Sequence, residues 1–191
     1  VQGHTANSQR AENPAHLLII LLNNIISKPL DDGNEFYLPS SLQIPTFDVG
    51  NSAANVIPEF ARATVNIRFN DIHSVESLTK WFQDNIDKVF TNFPKASCTF
   101  RTDQVGESYL TNPGQLCSLV SAAIKEVSGR NGNLEMATDG GTSDARFIKN
   151  YCEVLELGLV NRTLHQVNEN VNLSDLKELH DIYLRILENY F

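Results

Sequence analysis

The hydrophobic positions of this chain change period several times, and each change marks an element. Between Pro14 and Ile26, Leu17, Leu18, Leu21, Leu22 and Ile25 recur at helical spacing. Ile19, Ile20 and Ile26 widen that apolar surface beyond a single stripe. Asn13-Pro14 offers an N-cap followed by a first-turn proline. A helix so apolar predicts cover on two sides, by its own sheet and by another subunit, or complete burial inside one domain; periodicity does not separate these.

Leu42 to Val49 predicts a strand, and Pro45, which has no backbone N–H, confines it to an edge or a bulge. Ala61 to Phe69 alternates, with Ala63, Val65, Ile67 and Phe69 on one face and Arg62, Thr64, Asn66 and Arg68 on the other. Ser74 predicts the cap of a helix carrying Leu78, Trp81, Phe82, Ile86, Val89 and Phe90, and Ala96 to Arg101 predicts another strand. With a strand at Val1 to His4, the order is strand, helix, strand, strand, helix, strand. That is a split β-α-β (ferredoxin-like) arrangement, two helices on one face of a four-stranded sheet.

From Asn112 the pattern becomes α/β. Asn112 and Gln115 stand at capping-box spacing, Leu116, Leu119, Val120, Ala123, Ile124 and Val127 form an inner helical face, and Gly129 ends it. Apolar runs at Leu134 to Ala137 and Val154 to Val160 predict strands, with a short helix over Thr142 to Lys149 between them and a final helix over about 172–190. So few strands do not make a stable doubly wound sheet. We therefore expect two domains, 1–110 and 111–191, forming the C-terminal portion of a longer protein; a first residue other than methionine agrees with that expectation.

Composition narrows the function classes. The chain has 191 residues, is 41% hydrophobic and carries a net charge of −8, with no basic run, which argues against a nucleic-acid partner. The longest apolar run, Leu17 to Leu22, falls far short of the roughly 20 residues that cross a bilayer. No signal peptide is expected, because no basic region precedes that run and the upstream residues (Gln9, Arg10, Glu12, Asn13) are polar. Cys98, Cys117 and Cys152 are widely spaced and odd in number. They are expected to be buried, reduced thiols in a cytoplasmic protein.

Two segments carry candidate chemistry. Gly140-Gly141-Thr142-Ser143-Asp144 follows an apolar run and opens a predicted helix, where a tight turn and free N–H groups favour an anion. Leu164-His165-Gln166-Val167-Asn168-Glu169 follows another apolar run and offers an imidazole, a common zinc donor. Read without context, His165 is more often an ordinary surface or core histidine.

Together with Gly3-His4-Thr5-Ala6, Asn13-Pro14, Asn55-Val56-Ile57-Pro58 and Asn161-Arg162-Thr163, these segments resemble the succinyl-diaminopimelate desuccinylase family. That family falls within the two-zinc aminoacylase and carboxypeptidase superfamily. The resemblance runs along essentially the whole chain, in the family's order. It implies a dimerisation lid over 1–110, followed by the last part of an α/β di-zinc hydrolase domain. It also implies a small-molecule substrate, a homodimer formed through the lid, and two zinc ions, for which cobalt is a possible substitute.

By the same resemblance His165 is the one metal ligand in this chain, and His4 is a catalytic histidine reaching into the partner subunit's site. Asn55, Arg68, Gly141, Thr142 and Asn161 are implied to bind substrate. The other metal ligands and the general base are implied to lie outside the chain, which alone is expected to be inactive. Acetylornithine deacetylase and related metallocarboxypeptidases are sister alternatives, and a non-catalytic dimerisation module or proteolytic remnant is the alternative of another class. Arg68 as a solvated strand arginine and His4 as a structural histidine also stay open. The chain departs from the family at Glu59, where a glycine is usual, and at Pro45, where a hydrogen-bonding residue is expected.

Overall fold

The structure, a computed structural model, describes residues 2–103, 106–130, 134–139, 143–160 and 162–191. The chain divides into two compact units, Val1–Tyr109 and Leu110–Phe191.

In the first unit, strand β1 (Gly3–His4) leads through a 3-10 segment (Thr5–Arg10), kinked at Asn7, into helix α1 (Pro14–Ile26). The Asn13 side chain accepts from Ala15 N at 3.0 Å, so the predicted cap is present. Strands β2 (Ser41–Asp48), β3 (Val56–Ile57) and β4 (Arg62–Arg68) follow, then helix α2 (Val75–Phe90). Ser74 and Ser77 close a reciprocal capping box at the start of α2.

Leu21, Leu22 and Ile25 of α1 meet Ile86 and Val89 of α2 in a buried cluster. Leu42 and Ile44 of β2 pack against it with Ala63 and Val65 of β4, which are the inward positions that alternation predicts. Ile19, Ile20 and Ile26 point away from this core and are 53%, 42% and 54% exposed. The helix is thus covered by its own unit on one side only.

The predicted four-stranded sheet is instead two separate antiparallel pairs, β1 with β3 and β2 with β4. In the second pair the register shifts between Gln43 and Thr46, a bulge at the position of Pro45. The segment 96–101 forms no strand. Its Cys98 and Phe100 do pack against the core, with the Phe82 and Phe100 rings 5.0 Å apart. Inward alternation is there, but a strand also needs a neighbour in register, and no ladder forms.

The second unit is helical. Helix α3 (Gln115–Ser128) packs on helix α5 (Leu173–Tyr190), burying Val120, Ala123 and Ile182, and Gly129 closes α3 at φ 65°. Between them the predicted short helix is a single turn, α4 (Ala145–Ile148). The cap of α3 is also not the expected Asn112–Gln115 box. Gly114 stands at the N-cap, and the Glu153 carboxylate accepts from Leu116 N at 3.0 Å, placing an anion at the helix N-terminus. The apolar runs 134–137 and 154–160 form no strand, and no strand occurs among the described residues of this unit. Side chains hold the second run in place of a ladder: Glu153 on α3, and Tyr183 Oη donating to Leu157 O at 2.7 Å.

Candidate functional site

His4 and Asn55 are brought together by the shorter of the two sheets among the described residues. Gly3 lies opposite Ile57 and His4 opposite Val56, while Thr5 N donates to Asn55 O at 3.1 Å. The turn before β3 is built by Asn51, whose Nδ2 donates to Val56 O at 2.7 Å and to Ala53 O at 3.2 Å. Both His4 and Asn55 are exposed. His4 Nδ1 accepts from Ala6 N at 3.1 Å. In a neutral imidazole that bond fixes the tautomer, leaving the proton on Nε2, so His4 presents an N–H donor.

Arg68 ends β4 opposite Ser41 and is exposed on the polar face, as its strand position predicts. It belongs to the other sheet, so no ladder joins it to the His4–Asn55 pair.

A polar knot in this unit was invisible to motif reading. The Asp31 side chain is only 6% exposed. Its Oδ1 accepts from Gly33 N at 2.7 Å and Asn70 Nδ2 at 2.7 Å, and Oδ2 lies 3.1 Å from His73 Nε2. Ser40 N is shared between the two oxygens at 3.2 and 3.3 Å. Burial pushes this carboxyl upward, but the hydrogen bonds from Ser40, Asn70 and Gly33 outweigh it and hold the group well below the usual carboxylate range. Asn70, itself 2% exposed, also donates to Leu38 O at 3.1 Å, so the knot pins the 31–40 connection against the end of β4. Its members lie 39 and 42 residues apart in sequence, and their residue types carry no local signal.

In the second unit, Gly140, Gly141, Thr142 and Asn161 lie outside the described residues. Ser143, next in line, donates to Glu156 Oε1 and accepts from Ala145 N at 3.0 Å. A helix of one turn has little macrodipole, so the anion-favouring helix expected after the glycine pair is not built by α4. His165 is exposed and sits in a turn at φ 59°, in the left-handed region that non-glycine residues seldom adopt. Backbone strain of this kind concentrates at functional sites.

A zinc ion takes at least three protein donors. An exposed imidazole fits as one of them, and His165 is such a group. Among the described residues there is no group of three or more His, Cys, Asp or Glu side chains able to hold a metal. The described residues therefore hold a candidate donor and no complete centre. The cysteines add nothing to it: Cys98 and Cys117 are half-buried, and Cys152, expected to be buried, is exposed. No helix among the described residues is long and apolar enough to cross a membrane.

Comparison with known proteins adds the family. Residues 1–93 match the peptidase dimerisation domain of the M20 group. Over all 191 residues the chain is 47% identical to the succinyl-diaminopimelate desuccinylase of Paracoccus denitrificans (strain Pd 1222) and covers 49% of that protein. It is 48% identical, again over 191 residues, to succinyl-diaminopimelate desuccinylase 1 of Ruegeria sp. (strain TM1040), covering 49% of it. With the Parvibaculum lavamentivorans desuccinylase the identity is 45% over 190 residues and the coverage 47%. The chain spans about half the length of the curated relatives it matches. It is thus similar, from end to end, to about half of a succinyl-diaminopimelate desuccinylase, and residues 1–93 are similar to the peptidase dimerisation domain family.

Proposed function

We propose that the polypeptide carrying this chain is a zinc-dependent amide hydrolase. It removes succinate from N-succinyl-LL-2,6-diaminopimelate, giving LL-2,6-diaminopimelate for lysine and cell-wall synthesis, and it works as a cytoplasmic homodimer. The observation that carries this reading is identity of 45–48% along the whole chain to proteins of that name. In this reading the first unit is the dimerisation lid and the second is the C-terminal part of the catalytic domain.

Zinc, with cobalt as a possible substitute, supplies an acidified water and a polarised carbonyl when bound. This chain's share is different. His165 holds one metal. His4, with its proton on Nε2, donates to the oxyanion formed in the partner subunit's site, a role its hydrogen bond from Ala6 N supports. Asn55, beside His4, orients the substrate from the turn that precedes β3. Arg68 receives the distal carboxylate, since a planar guanidinium binds a carboxylate through two parallel bonds. Gly141, Thr142 and Asn161 hold the succinyl carboxylate. The chain alone is inactive, a reading supported by the lack, among the described residues, of any group of three His, Cys, Asp or Glu side chains able to hold a metal.

The test is succinate release from N-succinyl-LL-diaminopimelate by the longest natural polypeptide that contains this chain, with N-acetylornithine offered beside it and zinc added. Selective succinate release supports the proposal, and preference for acetylornithine moves the protein to a sister enzyme. Activity of the 191-residue chain by itself would contradict the assignment of ligands and general base to residues outside it.

A further inference from the structure

The turn that carries His165 is closed by a single side chain. Thr163 Oγ1 donates to Asn170 O at 2.8 Å and accepts from Asn170 N at 3.0 Å. One hydroxyl thus satisfies both backbone groups of a residue seven positions away, which is the pair of bonds that a facing strand would otherwise provide. Inside the loop so formed, Gln166 N donates to Thr163 O at 3.0 Å and Glu169 N to Gln166 O at 3.2 Å. Gln166 Nε2 reaches back to Arg162 O at 3.2 Å, and Asn170 Nδ2 to Asn168 O at 2.8 Å.

Two residues of this loop are left-handed, His165 at φ 59° and Asn168 at φ 64°. A non-glycine residue there costs roughly 1 kcal/mol or more and persists only where its surroundings hold it. The second unit has no strand among its described residues to impose it. Local hydrogen bonds must do so, and the two from Thr163 are the ones that join the ends of the loop.

We propose that Thr163 is a positioning residue for His165: its hydroxyl clamps the 163–170 loop and thereby fixes the backbone conformation from which the imidazole is presented. The proposal rests on His165 being a metal ligand. It says that the ligand's affinity is set by a neutral hydroxyl that touches neither metal nor substrate. Outer partners of this kind typically change metal affinity by 10- to 100-fold.

The experiment compares Thr163→Val, Thr163→Ser and His165→Ala in the longest natural polypeptide that carries this chain. Zinc affinity is read by competition with a chelator, and amide exchange at Asn170 is read in the metal-free protein. Valine keeps the shape of threonine and removes the hydroxyl, and because Asn170 is exposed its freed groups turn to water, so folding is retained. The expected result is tenfold or greater weakening of one zinc site in Thr163→Val, faster exchange of the Asn170 amide, an unchanged melting temperature, and recovery of both readouts in Thr163→Ser. Unchanged Asn170 exchange in Thr163→Val overturns the clamp itself, with or without metal. Undiminished zinc binding in His165→Ala defeats the ligand assignment instead. Loss of one metal in His165→Ala with full affinity in Thr163→Val leaves the ligand standing and overturns the positioning role.

Discussion

Replacing Asp31 with asparagine tests the polar knot of the first unit, because it keeps size and shape and removes only the charge. Hydrogen bonds to a charged acceptor contribute about 1.5–3 kcal/mol, and those between neutral groups about 0.5–1.5 kcal/mol. Three N–H donors, those of Gly33, Ser40 and Asn70, point at this carboxylate. Each loses about 1 kcal/mol when the acceptor becomes neutral. His73 can keep its contact by shifting its proton to Nδ1 and accepting from the new amide. The expected loss is therefore about 3 kcal/mol for the first unit at neutral pH.

Trp81 is the chain's single tryptophan and packs against the core of that unit, so urea unfolding followed by its fluorescence reads the right transition. Acid supplies a second readout. The native carboxyl is held below its ordinary value, so its contribution is complete above about pH 4, where the unfolded group ionises, and is lost as pH falls through the depressed native value. The gap between wild type and Asp31→Asn should shrink below that point. A difference under about 0.5 kcal/mol at neutral pH, or a gap that widens below about pH 4, would refute the argument.

Two further outcomes are expected. A Cβ at Gly114 would overlap Glu153 Oε1, so Gly114→Ala and Glu153→Ala remove the same cap from α3. Each should cost about 1 kcal/mol, and the double variant should be no worse than either alone, whereas additive losses in thermal unfolding would show that Glu153 is not the cap. Burial pushes the Cys98 thiol up, while Cys152 is exposed, so a maleimide near neutral pH should modify Cys152 well before Cys98; mass spectrometry showing the reverse order would contradict the packing of 96–101 against the core.

Local chemistry was legible in the sequence. Asn13-Pro14, Ser74 and Gly129 mark helix ends that the structure keeps, and Pro45 marks a bulge. Each of these depends on a residue's own backbone limits or on partners within a few positions. Pairing was not legible. The runs 96–101, 134–137 and 154–160 read as strands because apolar residues alternate or cluster there, yet a strand exists only when a second chain segment lies in register. The cap of α3 comes from 37 residues away and the Asp31–His73 contact spans 42, distances over which periodicity carries no information. Of the candidate site, residue types could be picked out by motif, but the meeting of His4 with Asn55 depends on two strands of two residues each. No window of sequence detects elements that short.

The bulge in β2 has a consequence for how copies of this fold can associate. A sheet extends only along an edge that offers an unbroken row of donors and acceptors. Pro45 takes one N–H from β2, and the bulge in its pairing with β4 twists the strand locally, two devices that blunt an edge. The seven residues of β4 contain no proline and no slip of their own. An element with one permissive edge can close a twofold pair, each copy using up the other's edge, and then has nowhere left to grow. Proline at this position therefore blunts β2 as a template for a further strand.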